Sequence, residues 1–358
     1  MNIKELIRRA IAAEASDIHL VTGLPPCARV HGEILMLEGE PLSESENKDT
    51  IYGLLNSEQK AHFERDWALC FSTVFEGMSH MRVSVYSHMG RVEAAIRLRS
   101  LELRTLEQLG LPESVAELTR KPNGLILITG PTGVGKTTTL YSMIDLINRE
   151  QRAKIVTIED PVEFMHGHKR SMVIQQEIGR DAKTFHGALM HILRLDPDII
   201  CIGEVRDAET VAATLLAAET GHLVIATLHT TTAAQSIERI VTAVPAENRA
   251  GAPVQLANCL RGIITQSLLP TVDKKSRVLA YEVMLANTAV KNNIREYKLS
   301  QLNDIIQSGT GEGMKAMDAR LRDLYQAGQI TFETAVSHCH DPRFISGEHQ
   351  QKARPIGA

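Results

Sequence analysis

The sequence predicts an α/β protein in which a nucleotide-binding domain with a parallel-rich sheet follows a smaller α+β domain. From Gly124 onward, short and fully apolar strands alternate with helical segments, which is typical of a parallel sheet covered by helices on both faces. Before that point the predicted strands alternate apolar and polar residues, as half-exposed strands do. A glycine-rich loop at residues 130–137 follows the first apolar strand and opens a helix.

The composition is that of a globular protein large enough for two domains. The chain has 358 residues, against ~150 for a typical domain. Its net charge of -4 and its aromatic content of 4% argue against a protein that coats nucleic acid, so no direct nucleic-acid partner is expected. The five cysteines form no C-x-x-C pair and are interpreted as reduced thiols of a cytoplasmic protein. No apolar run reaches the ~18 residues of a membrane-spanning helix, so a membrane role is expected only through a partner.

The N-terminal domain is predicted to span residues 1–105 and to combine a sheet with two helices. An amphipathic helix is predicted over 1–15, where Ile3, Leu6, Ile7 and Ala10 recur at helical spacing. A second helix is predicted over roughly 43–64. Alternating residues predict strands near 16–21, 28–31, 81–86 and 92–97.

The second domain is predicted to span residues 106–345, after a linker near 99–112 and before a flexible tail at 346–358. After about residue 287 the chain is predicted to be helical, with a break at 309–313. The predicted strands, with helices between them, lie at 125–128, 155–158, 199–202, 223–228 and 278–284.

The loop at 130–137, GPTGVGKT, fits the phosphate-binding pattern G-x-x-x-x-G-K-[ST]. Its glycines let backbone N–H groups turn towards phosphates, and the following helix adds the positive end of its dipole. Lys136 is expected to contact the β- and γ-phosphates of ATP, and the Thr137 hydroxyl to ligate Mg²⁺. The residues predicted to contact the nucleotide here are Pro131, Thr132, Gly133, Val134, Gly135, Lys136, Thr137 and Thr138.

Acidic residues follow two further predicted strands, at the ends where open α/β sheets place their sites. The first group supplies Glu159 and Asp160 for nucleotide binding, and Glu163. The second supplies Glu204, which follows Gly203 at the position where many ATPases have a metal-binding aspartate. Glu204 is therefore expected to act on the metal side. Because phosphoryl transfer needs acids near Mg²⁺ and near the attacking water, the sequence predicts an ATPase.

Two histidines bracket the strand predicted at 223–228. An imidazole at the tip of a strand can sense a γ-phosphate and report its loss. His222 is therefore a candidate for nucleotide binding and His229 for catalysis, with a structural role for the pair as the alternative.

These motifs resemble those of the pilus and secretion motor ATPases, and among them the type IV pilus retraction ATPases. The resemblance runs from residue 16 to about 341. Residues 157–164 resemble the family's Asp box, 193–210 its atypical Walker B segment and 220–231 its His box. Residues 289–296, AVKNNIRE, are similar to the retraction motif Ala-Ile-Arg-Asn-Leu-Ile-Arg-Glu but differ at Val290, Lys291 and Asn293.

The resemblance implies a PAS-like N-terminal domain, a RecA-like ATPase domain and a homohexamer that uses ATP and Mg²⁺. It implies that Glu163 orients the lytic water and that Glu204 acts on the Mg²⁺ side. Arg82 matches an arginine that the family supplies to a neighbouring subunit's site, and Arg277 is a candidate for a further phosphate contact. The usual companion of Arg82 is replaced by His80, a weaker and pH-dependent cation.

The resemblance also implies a place and a task. The protein would be a cytoplasmic motor, recruited to the cytoplasmic face of the inner membrane by a platform protein of the pilus machine. It would retract type IV pili and so drive twitching motility.

Other functions remain open at this stage. They are a pilus-assembly or type II secretion motor of the same family, an accessory retraction paralogue, a nucleic-acid motor with a RecA-like core, and a scaffold that binds ATP without turnover. The chain lacks the four-cysteine zinc insert that is common in secretion ATPases, which favours retraction over secretion.

Overall fold

The computed structural model describes residues 2–30, 32–99, 103–245 and 249–345. The chain divides into two units: Met1–Glu102 with Pro161–Met165, and Leu103–Asp160 with His166–Ala358. The tail predicted at 346–358 lies outside the described residues. Within the described ranges, no helix is both long enough and apolar enough to cross a membrane.

The first unit is built on a six-stranded antiparallel sheet with the order β3-β2-β1-β6-β5-β4. One face of this sheet packs with the apolar sides of the helices around Ile18, Ile51, Phe63, Val83 and Ile96. The elements are α1 (Ile3–Ala12), β1 (Asp17–Leu20), β2 (Cys27–Val30), β3 (Glu33–Met36), α2 (Glu44–Tyr52), α3 (Ser57–Asp66), β4 (Ala68–Phe75), β5 (Ser79–His88) and β6 (Arg91–Arg99).

The helix predicted over 43–64 is two helices, α2 and α3. Each begins with its own capping box, Ser43 with Glu46 and Asn56 with Gln59, so the chain stops and restarts a helix within the predicted span. Strands β3 and β4 were not predicted. All four residues of β3 are exposed, so this edge strand carries no alternation that a sequence pattern could show.

The second unit is built on a seven-stranded sheet with the order β13-β12-β7-β11-β10-β8-β9. Strands β7, β10 and β11 are buried at every position, which explains their unbroken apolar sequences. The strands are β7 (Gly124–Thr129), β8 (Lys154–Glu159), β9 (Met172–Glu177), β10 (Ile199–Ile202), β11 (Leu223–Leu228), β12 (Leu260–Pro270) and β13 (Arg277–Leu285). The helices are α4 (Glu113–Thr119), α5 (Lys136–Glu150), α6 (Phe185–Ile192), α7 (Ala208–Glu219), α8 (Ala233–Ala243), α9 (Ala252–Cys259), α10 (Thr288–Arg295), α11 (Leu302–Ser308), α12 (Met317–Gln326) and α13 (Phe332–His338).

The parallel-rich sheet is confirmed, with one correction at its edge. Neighbouring strands from β12 to β9 are parallel, but β13 pairs antiparallel with β12. The segment 278–284 is thus the second arm of a hairpin and not a parallel strand. Neither β12 nor β9 was predicted. Strand β12 starts directly after the last residue of α9, Cys259, so no turn residue separates the two.

Four parallel strands end along the same edge of this sheet. The loop at 130–137 follows β7, Asp160 follows β8, Gly203 and Glu204 follow β10, and His229 follows β11. The fold therefore gathers most of the predicted site residues of the second unit at one place.

Candidate active site

The phosphate-binding loop turns sharply between β7 and α5. At Gly130 the backbone φ is +138°, and a Cβ atom there would meet the carbonyl oxygen of Gln266 at 2.4 Å and the side chain of Val134 at 2.9 Å, so only glycine fits. The N-cap residue of α5 is Gly135, which offers no side-chain acceptor to the first turn. The first N–H groups of α5 are therefore left for an anion, as in other helix-terminus phosphate sites.

The Lys136 ammonium lies over this loop. It donates to the carbonyl oxygens of Gly130 at 2.7 Å and Pro131 at 2.9 Å, and its Nζ lies 3.4 Å from Nδ1 of His229. Burial lowers the pKa of Lys136, and the nearby Glu204 carboxylate opposes that shift. The loop thus holds a half-desolvated cation where a phosphate chain would pass.

Glu204 lies between two cationic or potentially cationic groups. One carboxylate oxygen accepts from Arg206 at 2.6 Å, and the other lies 2.8 Å from Nε2 of His229. Burial alone would raise the pKa of Glu204, but Arg206 and His229 together lower it below its ordinary value. Nδ1 of His229 also lies 3.5 Å from the Thr132 hydroxyl, so Glu204 is linked through one imidazole to the loop. The structure brings Lys136, Glu204 and His229 together.

Gly203 stands where many ATPases have an aspartate, and the packing explains the glycine. A Cβ atom at this position would lie 3.0 Å from the carbonyl oxygen of Ile158 and 3.3 Å from Cα of Glu159. The backbone of the neighbouring strand β8 therefore leaves little room for a side chain. The acidic group that is linked to the loop through His229 comes one residue later, at Glu204.

Glu159 is buried and belongs to a polar network beneath the sheet edge. It accepts hydrogen bonds from the Tyr141 hydroxyl, from the Thr157 hydroxyl at 2.5 Å and from the Gln175 amide at 3.0 Å. Both carboxylate oxygens of Glu159 therefore have partners within the chain, and its contact with nucleotide stays a prediction. Glu204 raises the pKa of Arg206, and the exposed carboxylate of Asp160 adds to that shift.

The two predicted histidines lie at opposite ends of β11. His229 follows the strand and reaches the loop, whereas His222 precedes it and contacts the Ala217 carbonyl at 3.0 Å and the Thr220 hydroxyl at 3.2 Å. Six strand residues separate the histidines, which corresponds to about 20 Å. Within one subunit, His222 therefore does not share the site of His229.

Three other residues that the sequence predicted for the site lie in other parts of the structure. Glu163 lies in the segment Pro161–Met165 of the first unit. Arg82 is exposed on β5, where its Nε donates to the thiol sulfur of Cys70 at 3.3 Å. Arg277 is the exposed first residue of β13, opposite Pro270 of β12. Thr265 of β12 is level with Thr129, so Arg277 lies about 16 Å beyond the end of β7 along the strand direction.

His80, expected from the sequence to be a weaker and pH-dependent cation, is buried. Its Nε2 accepts a hydrogen bond from the Met165 N–H at 3.3 Å, and its ring packs at a tilt against that of Phe164, with 4.7 Å between centroids. Burial lowers the pKa of His80. An imidazole that accepts through Nε2 is neutral, with its one proton on Nδ1. In this form His80 anchors the segment that carries Glu163.

Sequence reasoning assigned no role to two residues that the structure brings into the site. Arg206 binds Glu204 directly. The side-chain amide of Gln266 donates to the Thr139 hydroxyl at 2.6 Å, and the backbone carbonyl oxygen of Gln266 limits the space at Gly130. The position of Arg206, two residues after Glu204, was an available signal. Gln266 gave none, because it comes from the strand β12 that was not predicted.

Known proteins are similar to this chain in sequence and in fold. The Type II/IV secretion system protein family matches residues 71–337. The type IV pilus retractation ATPase PilT of Pseudomonas aeruginosa is 41% identical over 335 residues, which cover 94% of this chain and 97% of PilT. The type IV pilus ATPase PilU of the same organism is 35% identical over 338 residues, covering 94% of this chain and 88% of PilU. A crystal structure of the pilus retraction motor PilT with bound ADP matches with a TM-score of 0.91 and 42% identity, covering 97% of this chain and 99% of that chain. This chain therefore belongs to the Type II/IV secretion system protein family, as a relative of its PilT-like pilus ATPases.

Proposed function

We propose that this protein is an ATP-hydrolysing motor that retracts type IV pili and so drives twitching motility. One observation carries the proposal: Lys136, Glu204 and His229 meet at one edge of the sheet, in a chain that is 41% identical to a protein named as a pilus retraction ATPase. The acids and the imidazole beside the phosphate loop support turnover over mere binding, because phosphoryl transfer needs placed charges.

The triphosphate of ATP would lie on the loop and on the first turn of α5, against residues 131–138. Lys136 would exchange its bonds to the carbonyl oxygens of Gly130 and Pro131 for the β- and γ-phosphates. Its lowered pKa reflects a poorly hydrated ammonium, and such a cation interacts more strongly with an anion than a fully hydrated one does.

The donors beside the loop fit Mg²⁺. The Thr137 hydroxyl and the Glu204 carboxylate are oxygen ligands of the kind that Mg²⁺ prefers, and Glu204 is linked through His229 to the loop. Bound Mg²⁺ would neutralise charge on the phosphates. Glu204 would hold that ion, and Arg206 would hold the carboxylate in position.

The remaining roles follow the family resemblance. Glu163 would orient the attacking water, and His229 would sense the γ-phosphate. Arg82 would act on the site of a neighbouring subunit in a homohexamer, and Arg277 would add a phosphate contact. The hexamer would work at the cytoplasmic face of the inner membrane, on a platform protein of the pilus machine.

A deletion strain scored for surface pili and for twitching tests the proposal. Loss of a retraction motor should leave excess pili and abolish twitching. Loss of pili would instead identify an assembly motor. Normal pili with a secretion defect would identify a secretion motor.

A second candidate, an accessory retraction ATPase, is favoured by the 35% identity to PilU. An accessory motor would not restore twitching to a strain that lacks every other retraction ATPase, whereas a self-sufficient motor would. Expression of this chain alone in such a strain separates the two.

A further inference from the structure

Glu282, in the middle of β13, is a buried carboxylate with no role in the site described above. Its side chain is only 4% exposed, and one of its oxygens accepts a hydrogen bond from the backbone N–H of Ala233 at 3.1 Å. Ala233 is the first residue of α8. The backbone N–H of Met317, the first residue of α12, also acts on the Glu282 carboxyl and lowers its pKa. One carboxylate therefore binds the N-terminus of α8 and lies beside that of α12.

Neither helix satisfies these N–H groups with its own cap. The Thr232 side chain, the N-cap of α8, accepts from Gln235, and the N-cap of α12, Ala316, makes no side-chain bond. The positive ends of two helix dipoles stabilise the Glu282 charge. Burial raises the pKa of Glu282 and the Asp318 carboxylate adds to that shift, while the Ala233 amide, the nearby His340 and the Met317 amide oppose it.

The start of α8 is joined to the nucleotide site through the loop 229–232. Within it, the Thr230 hydroxyl lies 2.6 Å from the Ser236 hydroxyl, and the Thr231 hydroxyl donates to the Gln235 side chain at 2.8 Å. The loop is thus fastened to the first turn of α8, and His229 stands at its beginning. A shift of α8 by a fraction of an ångström would move the His229 ring relative to Glu204 and Lys136.

We propose that Glu282 is a positioning residue for ATP hydrolysis, which fixes the start of α8 and thereby places His229 against Glu204 and Lys136. The inference rests on the proposed role of His229 in hydrolysis.

Asp318 provides a matched control. It is a buried carboxylate one residue along α12, and it accepts from the backbone N–H groups of His340 at 2.8 Å and Asp341 at 3.0 Å. It therefore binds the segment that follows α13 and not the start of α8. Asp318→Ala removes a buried carboxylate whose charge reaches Glu282, but it leaves the bond from Ala233 to Glu282 in place.

The test compares Glu282→Ala and Asp318→Ala in the purified full-length protein, by phosphate release, ADP affinity and thermal unfolding. Glu282→Ala removes the oxygen that accepts from Ala233. Because small misplacements of a reacting group are costly, we expect it to lower kcat about tenfold with ADP affinity within about twofold. Asp318→Ala should lower the unfolding temperature to a similar extent and leave kcat unchanged. Equal losses of kcat in the two variants would overturn the proposal.

A double-mutant cycle separates positioning from general destabilisation. If Glu282 acts through His229, Glu282→Ala should change kcat by less than about twofold in a His229→Ala background. Multiplying effects would overturn the role of Glu282 while leaving that of His229 intact. A normal rate for His229→Ala alone would overturn both. If Glu282→Ala fails to fold, Glu282→Asp, which keeps the charge with a shorter reach, enters the same cycle with a smaller expected loss.

Discussion

Nε2 of His229 lies 2.8 Å from a carboxylate oxygen of Glu204, and this pair joins the ends of β11 and β10. The other ring nitrogen, Nδ1, lies 3.4 Å from the ammonium of Lys136. A neutral imidazole with its proton on Nε2 satisfies both contacts, because it donates to Glu204 and accepts from Lys136. His229 therefore lies between Lys136 and Glu204. A change at the γ-phosphate that moves the His229 ring would alter its contacts with both residues.

Lys136→Ala should abolish ATP hydrolysis. The ammonium is the cation placed on the phosphate loop, and removal of one such charge costs at least ~10²-fold in kcat at comparable sites. Phosphate release by the purified protein measures the effect. Lys183→Ala, at an exposed lysine of the same unit, is the control and should keep its activity. An unchanged rate for Lys136→Ala would reject the site.

Glu163→Gln should bind ATP yet hardly cleave it. The amide keeps the size of the side chain but cannot act as a carboxylate that orients and polarises water. Binding of a fluorescent ATP analogue and phosphate release should therefore separate, with affinity retained and turnover lost. Normal cleavage by this variant would transfer the water-orienting role to Glu204.

Arg206→Ala should lower kcat about tenfold or more, the equivalent of one charge-assisted hydrogen bond. Without the 2.6 Å bond from Arg206, Glu204 loses the contact that fixes one of its oxygens. Arg206→Lys should restore part of the rate, because a lysine can supply the charge but not the planar donor geometry. Steady-state kinetics at saturating Mg²⁺ and ATP check this. Equal rates for the alanine and lysine variants would show that Arg206 does not act through its charge.

His80 should give the protein a pH-dependent contribution to stability. Because burial lowers its folded-state pKa, the unfolded chain binds the proton more readily. This contribution is complete above the ordinary histidine pKa of about 6.5 and is lost as the pH falls from there towards the lowered folded value. The chain has 14 histidines, so the effect must be isolated by comparison.

His80→Gln provides that comparison. The glutamine oxygen can accept from the Met165 N–H at any pH, so the unfolding temperature of this variant should fall less than that of the natural protein between about pH 7 and pH 5. Thermal unfolding followed across this range measures the difference. Parallel curves would show that His80 does not control this pH dependence.

The sequence predicted those elements whose residue pattern fits only one kind of structure. The strands β7, β10 and β11 were predicted because burial on both faces requires unbroken apolar residues. The loop at 130–137 was predicted because few other structures need its glycines and lysine at that spacing. By contrast, β3 is exposed throughout and β12 begins directly after a helix, so neither shows a periodicity or a turn that marks it.

The sequence contains enough information to separate the two histidines, but the prediction used only the fact that each lies next to a strand. His222 precedes β11 and His229 follows it, and only the carboxyl end of a parallel strand opens onto the site. Chain direction alone would have separated them. Chain direction does not show whether Glu159 belongs to the nucleotide site, because Glu159 lies at the carboxyl end of its strand, as the site residues do. Its side chain shares a face of β8 with Thr157, and the buried Tyr141 and the half-buried Gln175 that bind it come from distant segments.

Arg295→Ala should leave ATP hydrolysis nearly unchanged while it reduces pilus retraction. The Arg295 guanidinium is exposed on α10, where it donates to the side-chain oxygens of Asn292 at 2.9 Å and Asn258 at 3.1 Å and not to any residue of the nucleotide site. Its neighbour Glu296 pairs with Lys298 at 2.6 Å, so the end of the retraction-like motif presents charges of both signs to solvent. Loss of one of them should affect docking on the pilus machine more than catalysis.

Two measurements on the same variants decide between coupling and folding. Phosphate release by the purified protein and twitching of a complemented deletion strain should separate for Arg295→Ala and for Glu296→Ala. Lys298→Ala, which breaks only the exposed ion pair, is the control and should twitch normally, since such pairs contribute roughly 0–1 kcal/mol. If hydrolysis falls in step with twitching, the motif supports the ATPase fold itself, and the surface through which this motor pulls lies elsewhere.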